Sequence, residues 1–595
     1  MHNVIYGPQI EPEKRIATHL KTLSGLKHLS RREPLAPRPG EPITLTVTTS
    51  GPLSFDEIVC SYTTDLPQTS RLPPAEALQF STLPLHPIKV EWDQPSWDYV
   101  RVWQVQLPGQ PEGAILRYQI TGRVTGTDCW ISADNQASSE KDATHFAVYI
   151  GEPAAPAWSQ QAMLYHIYLD RFFPGQGRLW NPAESVTDFY GGSLRGVLEK
   201  LDYLQALGIN TLWLSPLFSS PTAHGYDATD LCMVEPRLGT NQDLSDLITA
   251  AHARGIRILL DFVPNHWSNQ HPTFLDAQND PDSPYRDWYL WRNYPEEYEA
   301  FFDVKTMPKI NLQYGSPARA HLLDVARFWL EQGVDGYRLD HADGPALDFW
   351  ADFRRVCQQT NPECWLFGEV VKPPSVQCTF YGNLHGQLDF ALARALRETF
   401  ALKNWNLTTF DAFLTAHEAY FPAGFSRPAF LDNHDMNRFL TIAGNDSNRL
   451  KLAALVLFTL SAPPILYYGT ETGLSQDRFI SEGEGFDEAR LPMNWDDPDQ
   501  NLLEYFRTLI HLRHSLQFSA AHRTLIVEPD AGLYAYTSAP ETIVAFNTSS
   551  EPRILVLPFS LPATVKDHLN GNPVIHHADH LEIHLAPESG AWLMG

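Results

Sequence analysis

Between about residue 163 and residue 510 the chain alternates strand-like apolar runs with helix-like ones. The strand-like runs include residues 163–169, 211–214 and 257–263, and the helix-like ones residues 194–207 and 244–254. Continuous apolar runs of this kind mark parallel strands, whose sheet is covered by helices on both faces. The rhythm restricts the chain to a parallel α/β sheet. A closed eightfold (β/α)8 (TIM) barrel is the arrangement that accommodates its length. The alternation breaks after the third strand, at residues 267–316, where a polar, aromatic-rich segment is too long for an ordinary loop.

Three segments of the barrel region end on acids: Gly336-Tyr337-Arg338-Leu339-Asp340, Phe367-Gly368-Glu369 and Leu431-Asp432-Asn433-His434-Asp435. Each acid closes a run that reads as a buried strand, so the pattern predicts three carboxyl groups at one end of one sheet. That arrangement suits chemistry at a sugar acetal: one carboxylate attacks, a carboxylic acid protonates the leaving oxygen, and further charge stabilises an oxocarbenium-like transition state. Arg338 lies two residues before Asp340 and shares its strand face, where a guanidinium holds a carboxylate ionised. A single strand-end aspartate is more often a solvated surface group. Three together, each in its own motif, point to a site.

With these residues in view, the chain resembles glycoside hydrolase family 13, the α-amylase family, over roughly residues 156–595. Asp261-Phe262-Val263-Pro264-Asn265-His266 is similar to the family's first signature segment, and the three acidic segments are similar to the second, third and fourth. Met307-Pro308-Lys309-Ile310-Asn311 resembles the insert signature of the neopullulanase, cyclomaltodextrinase and maltogenic amylase group. The resemblance implies Asp340 as nucleophile, Glu369 as acid and base, and Asp435 as the residue that orients sugar hydroxyls. It also implies that His266 and His434 bond the sugar, that Tyr226 is an aromatic platform, and that Asp227 with Arg438 closes the pocket. Asn265 helps hold calcium in many relatives. Here residues 174–178 offer few hard oxygen ligands, so no cofactor is expected to be required and a structural calcium is possible but unsupported. Two stretches depart from the group's pattern: His341-Ala342-Asp343-Gly344 lacks its glutamate, and Val370-Val371-Lys372 lacks its aromatic and histidine.

Around the barrel (156–510, with insert 267–316) the sequence predicts three further parts. Residues 1–40 read as a helical extension, with a charged amphipathic helix from about Glu11 to Arg32 ending before Pro34, Pro37 and Pro39. Residues 41–155 alternate apolar and polar positions in short runs between turns, as a β-sandwich does, and residues 153–156 read as a linker. Residues 511–595 return to that alternation and resemble the family's C-terminal sandwich. In the N-terminal sandwich Trp103 reads as core, whereas Trp92 and Trp97 flank a turn that would hold their rings at the surface.

A formal charge of −26 argues against nucleic acid or an anionic membrane surface as partner, and a neutral sugar fits better. No basic, apolar leader opens the chain and no run would span a bilayer, so a cytoplasmic protein is expected. The six scattered cysteines show no metal spacing and read as reduced and mostly buried, with a Cys60–Cys129 bridge left open. The functional expectation is a retaining α-glucan hydrolase for α-1,4 bonds, with α-1,6 bonds as a further target, in maltooligosaccharides, cyclodextrins, starch or pullulan. A homodimer is allowed. The alternatives are a transglycosidase or α-glucosidase specialised for a disaccharide and, more remotely, a non-catalytic sugar-binding scaffold, which would be expected to lack one of the three acids.

Overall fold

The computed structural model describes residues 12–66, 79–139, 142–516, 523–530, 532–537, 542–559, 561–562 and 564–595. Eight parallel strands form the centre: β1 (Leu164–Ile167), β2 (Thr211–Leu214), β3 (Arg257–Phe262), β4 (Gly336–Leu339), β5 (Trp365–Gly368), β6 (Gly386–Gln387), β7 (Ala429–Phe430) and β8 (Pro464–Tyr467). Neighbours in sequence are neighbours in the sheet, and β1 pairs with β8. Gln387 donates its N–H to the Ser426 carbonyl at 3.0 Å and Ser426 donates to His385 at 2.9 Å, which closes the sheet between β6 and β7. The result is the barrel that the alternation predicts.

Local chemistry sets where its helices begin and where its strands approach. The helix Asn241–His252 starts on a capping box in which Thr240 and Asp243 satisfy each other's backbone N–H groups. At Gly336 (φ +153°) a Cβ would lie 2.1 Å from the Trp365 carbonyl oxygen, so only glycine lets β4 approach β5 this closely. That approach brings Asp340 and Glu369, the first residues past the two strands, alongside each other.

The insert after β3 carries a helix (Pro272–Asn279) and the short strands Trp291–Asn293 and Glu297–Tyr298 around a cluster of Trp267, Phe274, Tyr289 and Trp291. Its return segment pairs back on the barrel through Lys309 opposite His266.

Two five-stranded antiparallel sheets pack as the N-terminal sandwich, with Leu45, Val47, Leu116 and Ile120 in the core. A five-stranded and a three-stranded sheet form the C-terminal one. Two expectations are corrected. The first helix spans Pro12–Leu23 and stops short of Arg32, because Gly25–Lys27 and Arg32–Glu33 instead pair with the strand Ile43–Ser50. Residues 1–11 lie outside the described part. No Cys60–Cys129 bridge forms: both thiols are free, with Cys60 in the sandwich core and Cys129 exposed.

The N-terminal sandwich joins the barrel through a buried ion cluster. Arg117 reaches Asp65 at 2.8 Å and Asp352 at 2.5 Å, Arg355 reaches Asp65 at 3.0 Å, and Arg319 binds Asp348 at 2.6 Å and Asp352 at 2.5 Å. No helix among the described residues is long and apolar enough to cross a membrane.

Candidate active site

Strand register builds the centre of the site. Leu339 on β4 pairs with Gly368 on β5, so Asp340 and Glu369 leave adjacent strands at the same level, with backbones about 4.8 Å apart. Arg338, fully buried, lies among three acids. Its Nη1 donates to Asp261 at 2.8 Å and to Asp340 at 2.7 Å, and its Nη2 lies 2.8 Å from Glu369. Its guanidinium sits 5.3 Å from the centre of the Trp213 ring.

One cation cannot balance three acids in so dry a place. Burial, reinforced by Asp340 and Asp435 against the opposing pull of Arg338, pushes the Glu369 carboxyl up to about 8. Burial likewise raises Asp261 to about 7, with Asp340 adding and Arg338 opposing. Asp435 moves the other way. Burial alone would raise it, but His434 (Nε2 to Oδ2, 3.0 Å) and Arg490 (Nη2 to Oδ1, 2.8 Å) hold it well below the usual carboxylate range.

Asp435 does not stand at a strand end as its segment suggests. Strand β7 ends at Phe430, and the loop beyond it is pinned by Arg397, which donates to the Leu431 and Asn437 carbonyls, and by Asp432, which accepts the Phe439 N–H at 2.8 Å. That pinning brings Asp435 and His434 back over the barrel mouth.

The Tyr226 ring lies nearly parallel to His434 (5.4 Å, 7°), and its hydroxyl contacts His434 Nε2 at 2.5 Å and Asp261 at 3.1 Å. His266 is buried under Phe301, with Nδ1 bonded to Asn265 and Nε2 without a protein partner. Asp227 and Arg438 do not pair. Asp227 accepts from Ser220 at 2.7 Å and Thr222 at 2.5 Å, whereas Arg438 donates to the backbone carbonyls of Tyr468 and Ala489. Both therefore brace loops, and the cation that reaches Asp435 is Arg490.

Arg490 escapes a reading of the sequence because it stands in the loop after β8 with no local pattern, and only folding carries it to His434 and Asp435. His166 escapes it too: it stacks on Trp213 at 3.6 Å, 5.1 Å from His434, and neither of its buried nitrogens has a protein partner. Asp261 stood within a recognised segment, but nothing local showed that it would share Arg338.

The two departing stretches meet on one side of the cleft. Lys372 Nζ lies 3.2 Å from Asp343, His341 Nδ1 lies 3.5 Å from Asp343, and Phe301 and Phe302 pack edge-on against the His341 ring.

Several oxygens that could serve a calcium ion after β1 and β3 already have protein donors. The Asn265 Nδ2 donates to His266 and the Asn265 backbone carbonyl accepts from Ile310 at 3.1 Å, while after β1 the Asp170 carboxylate is taken by Arg171 and the N–H groups of Tyr190 and Gly191. Hard oxygens already committed to protein donors make a poor cation cage.

Comparison with known proteins agrees with this geometry. A family model described as "Alpha amylase, catalytic domain" matches residues 166–503. Alpha-amylase 2 of Dictyoglomus thermophilum is 34% identical over 495 residues, covering 81% of this chain and 83% of that protein. Neopullulanase 2 of Thermoactinomyces vulgaris is 34% identical over 468 residues, covering 73% and 78%. A solved cyclomaltodextrinase superposes with a TM-score of 0.68 over 96% of this chain and 99% of its own, and at 24% identity it speaks to the fold alone. Motifs, barrel and relatives together place the chain in the α-amylase family of glycoside hydrolases.

Proposed function

We propose that the protein is a retaining α-glucan hydrolase acting on α-1,4 bonds, and on some α-1,6 bonds, in maltooligosaccharides, cyclodextrins, starch or pullulan. The observation that carries this reading is Arg338, whose two terminal nitrogens face Asp340 and Glu369 while Glu369 keeps its proton to about 8. Two carboxyls held on one guanidinium suit the separation of about 5–5.5 Å that double displacement requires.

Asp340 attacks the anomeric carbon as the glycosidic C–O bond breaks and Glu369 gives its proton to the leaving oxygen. Glu369 then takes a proton from water, which displaces Asp340 and restores the α configuration. Asp435, kept ionised by His434 and Arg490, accepts hydrogen bonds from sugar hydroxyls. The ring stacks on Tyr226, and the unpartnered Nε2 of His266 meets a hydroxyl. Lys372, Asp343 and His341 set what lies on the acceptor side.

The same reading divides the chain at 41–155, 156–510 and 511–595. It places the protein in the cytoplasm, supported by six unbridged cysteines. It also allows a homodimer, supported by the exposed apolar side chains Ile88, Val90, Trp92, Trp97 and Tyr99 on one hairpin.

The test is incubation with β-cyclodextrin, pullulan, soluble starch, maltotriose, isomaltose, trehalose and sucrose, with the anomeric form of the first product read by NMR. The α anomer from an α-glucan supports the proposal. Early β product would exclude double displacement, and turnover of a disaccharide alone would favour the specialised α-glucosidase or transglycosidase.

A further inference from the structure

The C-terminal sandwich carries a cluster that the glucan chemistry does not use. Strands Val574–His576 and Leu581–Leu585 form a hairpin in which Ile575 pairs with Glu582 and His576 with Leu581. In the connecting turn His577 donates its N–H to the His580 carbonyl at 3.0 Å, so the two imidazoles stand side by side, 4.1 Å apart and 6° from parallel.

Both Nε2 atoms face one oxygen. His577 Nε2 and His580 Nε2 each lie 3.6 Å from Glu582 Oε1, and His584 Nε2 lies 3.7 Å from the other oxygen of that carboxylate. These separations are too long for hydrogen bonds. They are close to the ligand-to-ligand edge of a tetrahedral site, about 3.4 Å for nitrogen and oxygen about 2.0–2.1 Å from the ion.

Two further features favour a cation over chance crowding. Asp579 Oδ1 lies 2.7 Å from His580 Nδ1, which places a proton on Nδ1 and leaves the Nε2 lone pair directed at the site, as carboxylate partners do for metal-bound histidines. His584 Nε2 is shielded from solvent without a hydrogen-bond partner, on the same strand face as Glu582.

We propose that His577, His580 and Glu582 bind a divalent late transition ion such as Zn²⁺, with Asp579 orienting His580 and water completing the coordination. Two imidazoles and one carboxylate select this class over Ca²⁺ or Mg²⁺, which prefer oxygen. The ion clips the turn to the strand and stabilises the folded hairpin increasingly as the free ion rises above its dissociation constant.

The test uses the full chain, freed of metal by chelator and dialysis, titrated with Zn²⁺ by calorimetry and with Co²⁺ by visible absorption. One site of micromolar affinity or better is expected, with a tetrahedral Co²⁺ spectrum. Asp579→Asn should weaken binding about 10–100-fold, and the double variant His577→Ala/His580→Ala should abolish it. The melting temperature without metal and the glucan-hydrolysis rate should be unchanged in both variants. Zn²⁺ binding of equal stoichiometry and affinity in the double variant would overturn the proposal, as would a wild-type protein that takes up neither ion at micromolar concentration.

Discussion

Two buried clusters of arginines and acids sit in this molecule, and their difference lies in charge balance. Where the N-terminal sandwich meets the barrel, Arg117, Arg319 and Arg355 face Asp65, Asp348 and Asp352, so every charge has a counter-charge. Burial alone would push Asp352 up, but the three arginines hold it below the usual carboxylate range. At the barrel mouth Arg338 faces Asp261, Asp340 and Glu369 alone, and Glu369 is pushed up to about 8. Both clusters are dry. The balanced one is a joint, and the unbalanced one keeps a proton to give away.

The largest expected effect breaks the unbalanced cluster. Asp340→Asn and Glu369→Gln should each lower turnover by several orders of magnitude with the circular dichroism spectrum intact, because no neighbour can assume either role. Near-normal rates on the best glucan in either variant would remove the assignment.

The balanced cluster should answer in stability instead. Asp352→Asn leaves Arg117 and Arg319 short of a counter-charge and should cost about 3–5 kcal/mol, read as a lower denaturant midpoint, with kcat nearly unchanged at low temperature. A large fall in kcat with unchanged stability would mean that the two clusters are coupled.

Next in size is a pH effect with two readouts. Glu369 must be protonated to act as acid, so the rate should fall about tenfold per pH unit above about 8. Its folded pKa is raised above the ordinary 4.5, so its contribution to stability is complete below about 4.5 and is lost as pH rises through about 8. Asp261, raised to about 7, acts with the same sign. Glu369→Gln should therefore lessen the decline of stability across that window. A profile as steep in the variant as in the wild type would contradict the assignment.

The smallest effect should come from a residue in neither cluster. Trp97 is 71% exposed and packs edge-on against Trp92 at 5.5 Å, beside a Tyr99 that is 63% exposed. Trp97→Ala should leave the melting temperature nearly unchanged and weaken activity on polymer more than on maltotriose. Equal losses on both substrates with a lower melting temperature would make Trp97 a packing residue. Trp103, 8% exposed and bonded to Thr49, already is one.

Much of the site was legible because its chemistry is local. Asp340, Glu369 and Arg338 lie on or just past strands whose apolar runs are written in the chain, and strand pleating alone puts Arg338 and Asp340 on one face. The barrel followed from the same alternation, and the outer sandwiches from period-two runs. The first helix was overextended because its apolar spacing continues past Leu23, whereas pairing of Gly25–Lys27 with Ile43–Ser50 is a contact that no local pattern carries. Asp227 and Arg438 do not pair because Ser220 and Thr222 hold Asp227 within its own loop, whereas the distant Tyr468 and Ala489 carbonyls, which no local pattern reveals, take Arg438.

By itself the sequence determined the parallel sheet, the acids Asp340 and Glu369 at two of its strand ends and that a sugar acetal suits them, because periodicity and residue chemistry act within a few positions. Tertiary structure alone decided which acid keeps a proton. That depends on how many carboxylates share Arg338, on Arg490 arriving from the loop after β8 to hold Asp435, and on the burial that strengthens every one of these charges.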